Sequence, residues 1–121
     1  MRILIKPGVF IKEVNTQFFH ACLTVDYVWG EYGVMAVLTS GAEGKHMTGS
    51  LHPEGKAWDF RLWNLPAEHR KEAVDKIREN LNAKKPDYDV LLEEKVVKDK
   101  DGKDVKTVWM HIEYQPHKEG T

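Results

Sequence analysis

At 121 residues the chain is one domain's worth of sequence, long enough to bury a core without disulfide or metal staples. Hydrophobic residues make up 41%, charged residues 31%, and the formal net charge is -1, so no basic field exists to gather nucleic acid or anionic lipid. No run approaches the roughly 20 apolar residues of a membrane span.

The opening Met1-Arg2-Ile3-Leu4-Ile5-Lys6-Pro7-Gly8 is too short and too soon broken for a signal peptide, which points to a cytoplasmic protein. A single cysteine, Cys22, excludes an internal disulfide and fits a reducing compartment. Ile3 to Val14 reads as a short extended segment broken at Pro7-Gly8. From Thr16 to Tyr32, Phe18, Cys22, Val25 and Trp29 recur at helical spacing, with Asn15 or Thr16 as cap and Gly33 as terminator. In that stripe Cys22 is a core residue rather than a nucleophile.

Val34 to Thr39 is an apolar run of strand length, and Ser40 to Gly55 reads as a glycine-bearing loop. Ala57 to Leu62 is a strand. Pro66 to Leu81 is a second helix, with Ala73, Val74, Ile77 and Leu81 on one face and Glu72–Lys76 as a surface pair. Asp89 to Lys98 and Val105 to Tyr114 are the arms of a hairpin that turns at Lys100-Asp101-Gly102-Lys103. The aspartates around that turn lack the distal glutamate of a calcium loop. The element order predicts an α+β domain, a small antiparallel sheet with two main helices packed on it.

Chemistry gathers in two segments. In Ser50-Leu51-His52-Pro53-Glu54-Gly55-Lys56-Ala57-Trp58-Asp59-Phe60, a loop histidine is followed by a strand aspartate. Alternation sends Trp58 and Phe60 to the core and Asp59 and Arg61 to the other face. In Val108-Trp109-Met110-His111-Ile112-Glu113-Tyr114, Val108, Met110 and Ile112 share one face and Trp109, His111 and Glu113 the other. Two histidines and a carboxylate form a zinc ligand set with a fourth position open to water, whose pKa zinc lowers to about 7. The remaining histidines, His20, His46, His69 and His117, read as surface residues, with His46 also a candidate to line the cleft.

The pattern Ser50-x-His52-x-x-Gly55-x-Ala57-x-Asp59 resembles the first zinc motif of the D-alanyl-D-alanine carboxypeptidase family. That family includes phage endolysins and shares its fold with lysostaphin and the hedgehog signalling domain. Trp109-x-His111-x-Glu113-Tyr114 resembles the second motif. The resemblance covers about Thr16 to Pro116. It implies Zn2+ held by His52, Asp59 and His111, with Ser50 positioning a substrate drawn from peptidoglycan stem peptides. The bond is either a terminal D-Ala or an internal L-Ala–D-residue link. It further implies a phage-derived monomer, released to the cell wall only during lysis.

The sequence departs from the family at the base. Val108 and Trp109 stand where the family carries a glutamate or a histidine before the last ligand. Folding the hairpin about Asp101-Gly102 sets Leu92 to Glu94 across from Trp109 to His111. Glu93 and Glu94 are therefore the candidate bases, Glu93 favoured because a one-residue change of register puts it on the site face. Glu113 is a third option. The family's substrate-binding arginine is missing, and Arg61 is the candidate to hold a substrate carboxylate, with Trp109 as a platform. Two other classes stay open: a catalytically silent zinc-binding module of the same fold, and a metal-free interaction domain.

Overall fold

The structure is a computed structural model that describes residues 2–44 and 51–116. It is α+β: a five-stranded mixed sheet with two helices on one face. In chain order the elements are β1 (Ile3–Ile5), α1 (Thr16–Glu31), β2 (Ala36–Ser40), β3 (Ala57–Arg61), α2 (Arg70–Leu81), β4 (Tyr88–Lys98) and β5 (Asp104–Tyr114). The strands lie in the order β1-β2-β3-β5-β4.

The sheet is not wholly antiparallel as the sequence predicted. β1 runs parallel to β2, with Leu4 opposite Val37, because α1 carries the chain back between them. Parallel neighbours require such a crossover, and a 16-residue helix supplies it. The other three pairings are antiparallel.

α1 starts where Asn15 Oδ1 accepts the Phe18 N–H at 2.8 Å. It stops at Gly33, whose φ of 71° a side-chain-bearing residue adopts only under strain. Pro66 does not open α2 itself but precedes a short 3-10 turn, Ala67–His69, from which α2 continues. Arg70 fixes that entry by donating from Nε to the carbonyls of Leu62 and Leu65 at 3.1 Å each.

One sheet face presents Leu38, Trp58, Phe60, Val90, Met110 and Ile112 to the helices, all 1% exposed or less. Val25 and Trp29 of α1 and Val74 and Ile77 of α2 close the core from the other side, also at 1% or less. Cys22 belongs to this layer, and burial pushes its thiol up to about 12, so it stays protonated. Arg78 ties α2 to the sheet by donating to the Val90 carbonyl from Nε and Nη2, at 3.1 and 2.6 Å.

The hairpin pairs Leu91 with His111 and Glu93 with Trp109, one residue from the register first expected. The cause is its five-residue connection. Asp99 Oδ1 accepts the N–H groups of Asp101 and Lys103, and Gly102 takes a φ of 77°. Among the described residues no helix is long and apolar enough to cross a membrane.

Candidate metal centre

The sheet face turned away from the helices carries the polar members of β3 and β5. Asp59 and His111 are directly opposed in that antiparallel pair, as are Arg61 and Trp109. Opposed residues point the same way, so the imidazole and the carboxylate meet. His111 Nδ1 lies 2.8 Å from Asp59 Oδ1.

His52 reaches the same carboxylate from the loop that leads into β3. A tight turn shapes this loop: Glu54 N–H and Lys56 N–H both donate to the Leu51 carbonyl, and Gly55 N–H to that of His52. Gly55 has a φ of 74°, and a Cβ there would stand 3.1 Å from Lys12 Cβ, so glycine answers both the backbone and the space. The turn folds His52 inward until it is 5% exposed, with Nε2 3.4 Å from Asp59 Oδ1. The two imidazole centroids are 5.0 Å apart.

His52, Asp59 and His111 thus each offer a ligand atom, all within 4.8 Å of one another, a group that could hold a metal ion. Ligands around a tetrahedral zinc at ~2.0–2.1 Å stand roughly 3.4 Å apart. The His52–Asp59 separation meets that value, while the 2.8 Å His111–Asp59 contact is a hydrogen-bond length. A metal would replace the proton shared there.

The far ring nitrogens are anchored as well. A metal-ligating histidine donates its other ring N–H to a carbonyl or carboxylate, which fixes the tautomer. His52 Nδ1 is 2.9 Å from the Gly41 carbonyl, an acceptor only, so Nδ1 carries the proton and Nε2 faces Asp59. His111 Nε2 is 2.8 Å from Glu113 Oε1, which leaves Nδ1 for the centre. Both rings are oriented as ligands are, and the donor set fits zinc.

The protonation of these three side chains follows from the same contacts. Burial works against a charged His111, but Asp59 and Glu113 on its two nitrogens outweigh it and lift the imidazole to about 9, with Glu93 adding to the effect. Burial likewise opposes charge on His52, and Asp59 and the Gly41 carbonyl raise it nonetheless. Asp59 would be raised by burial, and its two histidines hold it below the usual carboxylate range.

One support has no signature in the sequence. Glu43 Oε1 accepts the N–H groups of Phe10 and Gly41 at 2.9 and 2.8 Å, and its Oε2 accepts the Ser40 hydroxyl at 2.8 Å. It thereby sets the carbonyl that orients His52. Only the glycine-bearing turn Ser40-Gly41-Ala42-Glu43 hints at it.

Of the other expected site residues, Arg61, Trp109 and Glu93 form the adjacent row across β3, β5 and β4 on the same face as Asp59 and His111. Arg61 Nε is buried and has no hydrogen-bond partner among the described residues. Glu94 is not brought to the site. It opposes Val108, so strand alternation turns it to the helix side, where it pairs with Lys106 at 3.1 Å. Glu113 is on the site face but is held by His111 Nε2, an orienting role rather than a base's. Ser50 and His46 lie outside the described residues, as does His117. His20 and His69 stand elsewhere, beside Tyr88 and Glu72.

No protein-family model, no curated protein and no solved structure matches the chain.

Proposed function

We propose that the chain is a zinc-dependent peptidase that hydrolyses an amide bond in bacterial peptidoglycan stem peptides, a D-Ala-D-Ala carboxypeptidase or L-Ala–D-residue endopeptidase of the phage endolysin type. The observation that carries this reading is the convergence of His52, Asp59 and His111, with both outer ring nitrogens anchored. The spaced motif from Ser50 to Asp59 supplies the substrate class by resemblance.

Zinc in such a set supplies Lewis acidity, lowering the pKa of water to about 7 and polarising a carbonyl oxygen. His52 and His111 hold their tautomers through Gly41 and Glu113, so no reorientation is needed when substrate arrives. Glu93 shares the face of His111 and acts on it electrostatically. In this reading its carboxylate accepts the proton released by the attacking water and returns it to the leaving amine nitrogen. Arg61 pairs with a substrate carboxylate, and Trp109 offers the apolar wall beside it.

A second reading, a catalytically silent zinc-binding module of the same fold, is favoured by Val108 and Trp109 at the places where the resembled family has its acid-base residue. Elemental analysis of the purified protein, beside His52→Ala, tests what the two readings share. About one zinc per chain, lost in the variant, is the expected result, and no zinc even after its addition would remove both. Release of amino groups from purified peptidoglycan then separates peptidase from silent module.

A further inference from the structure

We propose that the helix-side face of the sheet carries a second binding site, a cleft walled by Trp63 that takes a carboxylate-bearing sugar of the wall glycan. The choice of a wall sugar rests on the peptidase reading; the cleft and its chemistry do not.

Trp63 is 62% exposed. An indole is seldom left so open to water, and this one is held in place. Arg70 Nη2 donates to its carbonyl at 3.2 Å, while Arg70 Nε holds the carbonyls of Leu62 and Leu65 on either side. Leu65 N–H closes back on the Leu62 carbonyl at 2.9 Å, and Asn64 Nδ2 reaches the Met35 carbonyl at 2.9 Å. The Arg61 guanidinium lies over the ring, 4.4 Å from its centroid. A pinned aromatic surface gives up little freedom when a ligand lands on it.

Trp63 borders a cleft of about 440 Å³ between the start of α2 and the back of the β4–β5 hairpin. That volume falls within the ~300–1,000 Å³ of small-molecule sites. Leu92 and Val108 give it an apolar side, and Arg70, Lys71 and Lys106 stand there against one carboxylate, Glu94. Lys106 pairs with Glu94 at 3.1 Å and Lys71 with Asp75 at 3.3 Å, but both lysines are largely solvated, the Lys71 side chain at 87%, and surface pairs of this kind are weak enough to yield to a ligand. An aromatic face suits the C–H face of a sugar ring. Glu94 suits its hydroxyls, and the solvated ammonium groups suit a carboxylate. Glu94 and Val108 face away from His111, so the cleft and the His111 face meet at Arg61, whose guanidinium lies over Trp63.

The test is a calorimetric titration of the full chain with the peptide-free disaccharide of N-acetylglucosamine and N-acetylmuramic acid, which bears one carboxylate. The neutral disaccharide of N-acetylglucosamine is the comparator. Saturable binding of the acidic sugar is expected, weakened roughly tenfold or more in Trp63→Ala and largely regained in Trp63→Tyr. Lys106→Met should weaken the acidic sugar and leave the neutral one unchanged. No binding, equal affinity for the two sugars, or full affinity in Trp63→Ala would overturn the proposal. Titrating His52→Ala keeps the two readings apart. Sugar binding with no hydrolysis by the parent chain removes only the peptidase, and hydrolysis without sugar binding removes only the cleft.

Discussion

Glu113 Oε1 stands 2.8 Å from His111 Nε2, while the opposite nitrogen of the same ring stands 2.8 Å from Asp59 Oδ1. The ring is therefore aimed by one carboxylate toward another. Glu113→Gln keeps the side-chain size and an acceptor oxygen but removes the charge. Metal affinity is expected to fall about 10–100-fold, the usual cost of losing a carboxylate behind a ligating histidine. Competition with a fluorescent zinc chelator measures it, and an unchanged constant would remove the orienting role.

The two candidate bases are separated by the pleat of one strand. Glu93 lies on the same sheet face as His111, and Glu94 on the helix side. Glu93→Gln is expected to slow wall hydrolysis about 10²–10⁴-fold, the range of a lost general base, with zinc content intact. On a glycan-free stem peptide, which does not engage the Trp63 cleft, Glu94→Gln should stay within about twofold. If Glu93→Gln hydrolyses at the parent rate, the base lies elsewhere.

Gly41 has no room for a side chain. A Cβ there would sit 2.4 Å from the Phe10 carbonyl oxygen, a backbone atom that cannot swing aside. Gly41→Ala must shift the segment whose carbonyl holds His52 Nδ1. We expect a loss of about 1–3 kcal/mol in chemical denaturation, together with weaker zinc binding. Destabilisation without any change in zinc affinity would uncouple this turn from the metal centre.

Glu43 links stability to pH. Burial would raise its carboxyl, but the N–H groups of Phe10 and Gly41 and the Ser40 hydroxyl more than compensate and hold it below its ordinary value of 4.5. A depressed folded-state pKa means stability that is complete above the unfolded value and disappears as pH falls through the folded one. Glu43→Gln should therefore flatten the acid limb of the stability curve below about pH 4.5 while costing about 1–3 kcal/mol at neutral pH. Parallel parent and variant curves in urea titrations from pH 3 to 7 would contradict this.

Much of this architecture was legible because period and punctuation agree. Asn15 and Gly33 bracket α1, the stripe Val74-Ile77-Leu81 marks α2, and Asp101-Gly102 marks the hairpin. Alternation in β3 and β5 separated core from site before any pairing was known, and it placed Asp59 and His111 on the outer face. Three things were not legible. The parallel β1–β2 pair depends on a crossover whose hand and landing point no local pattern specifies. The hairpin register turned on one residue of loop geometry, which decided between Glu93 and Glu94. The clamp by Glu43 joins Phe10 to Gly41 across more than thirty positions of chain, and contacts of that separation leave no periodic trace.

The sheet order has a consequence for assembly. β5 lies between β3 and β4, so His111 meets Asp59 only where the hairpin is seated on β3. Before that seating a metal would find at most two of its protein ligands. On the zinc reading, metal capture and the seating of the hairpin share a single free energy, and a chelator would act as a wedge between them. Amide hydrogens along β3 and β5 would exchange faster as zinc is withdrawn, while those of α1 keep their pace.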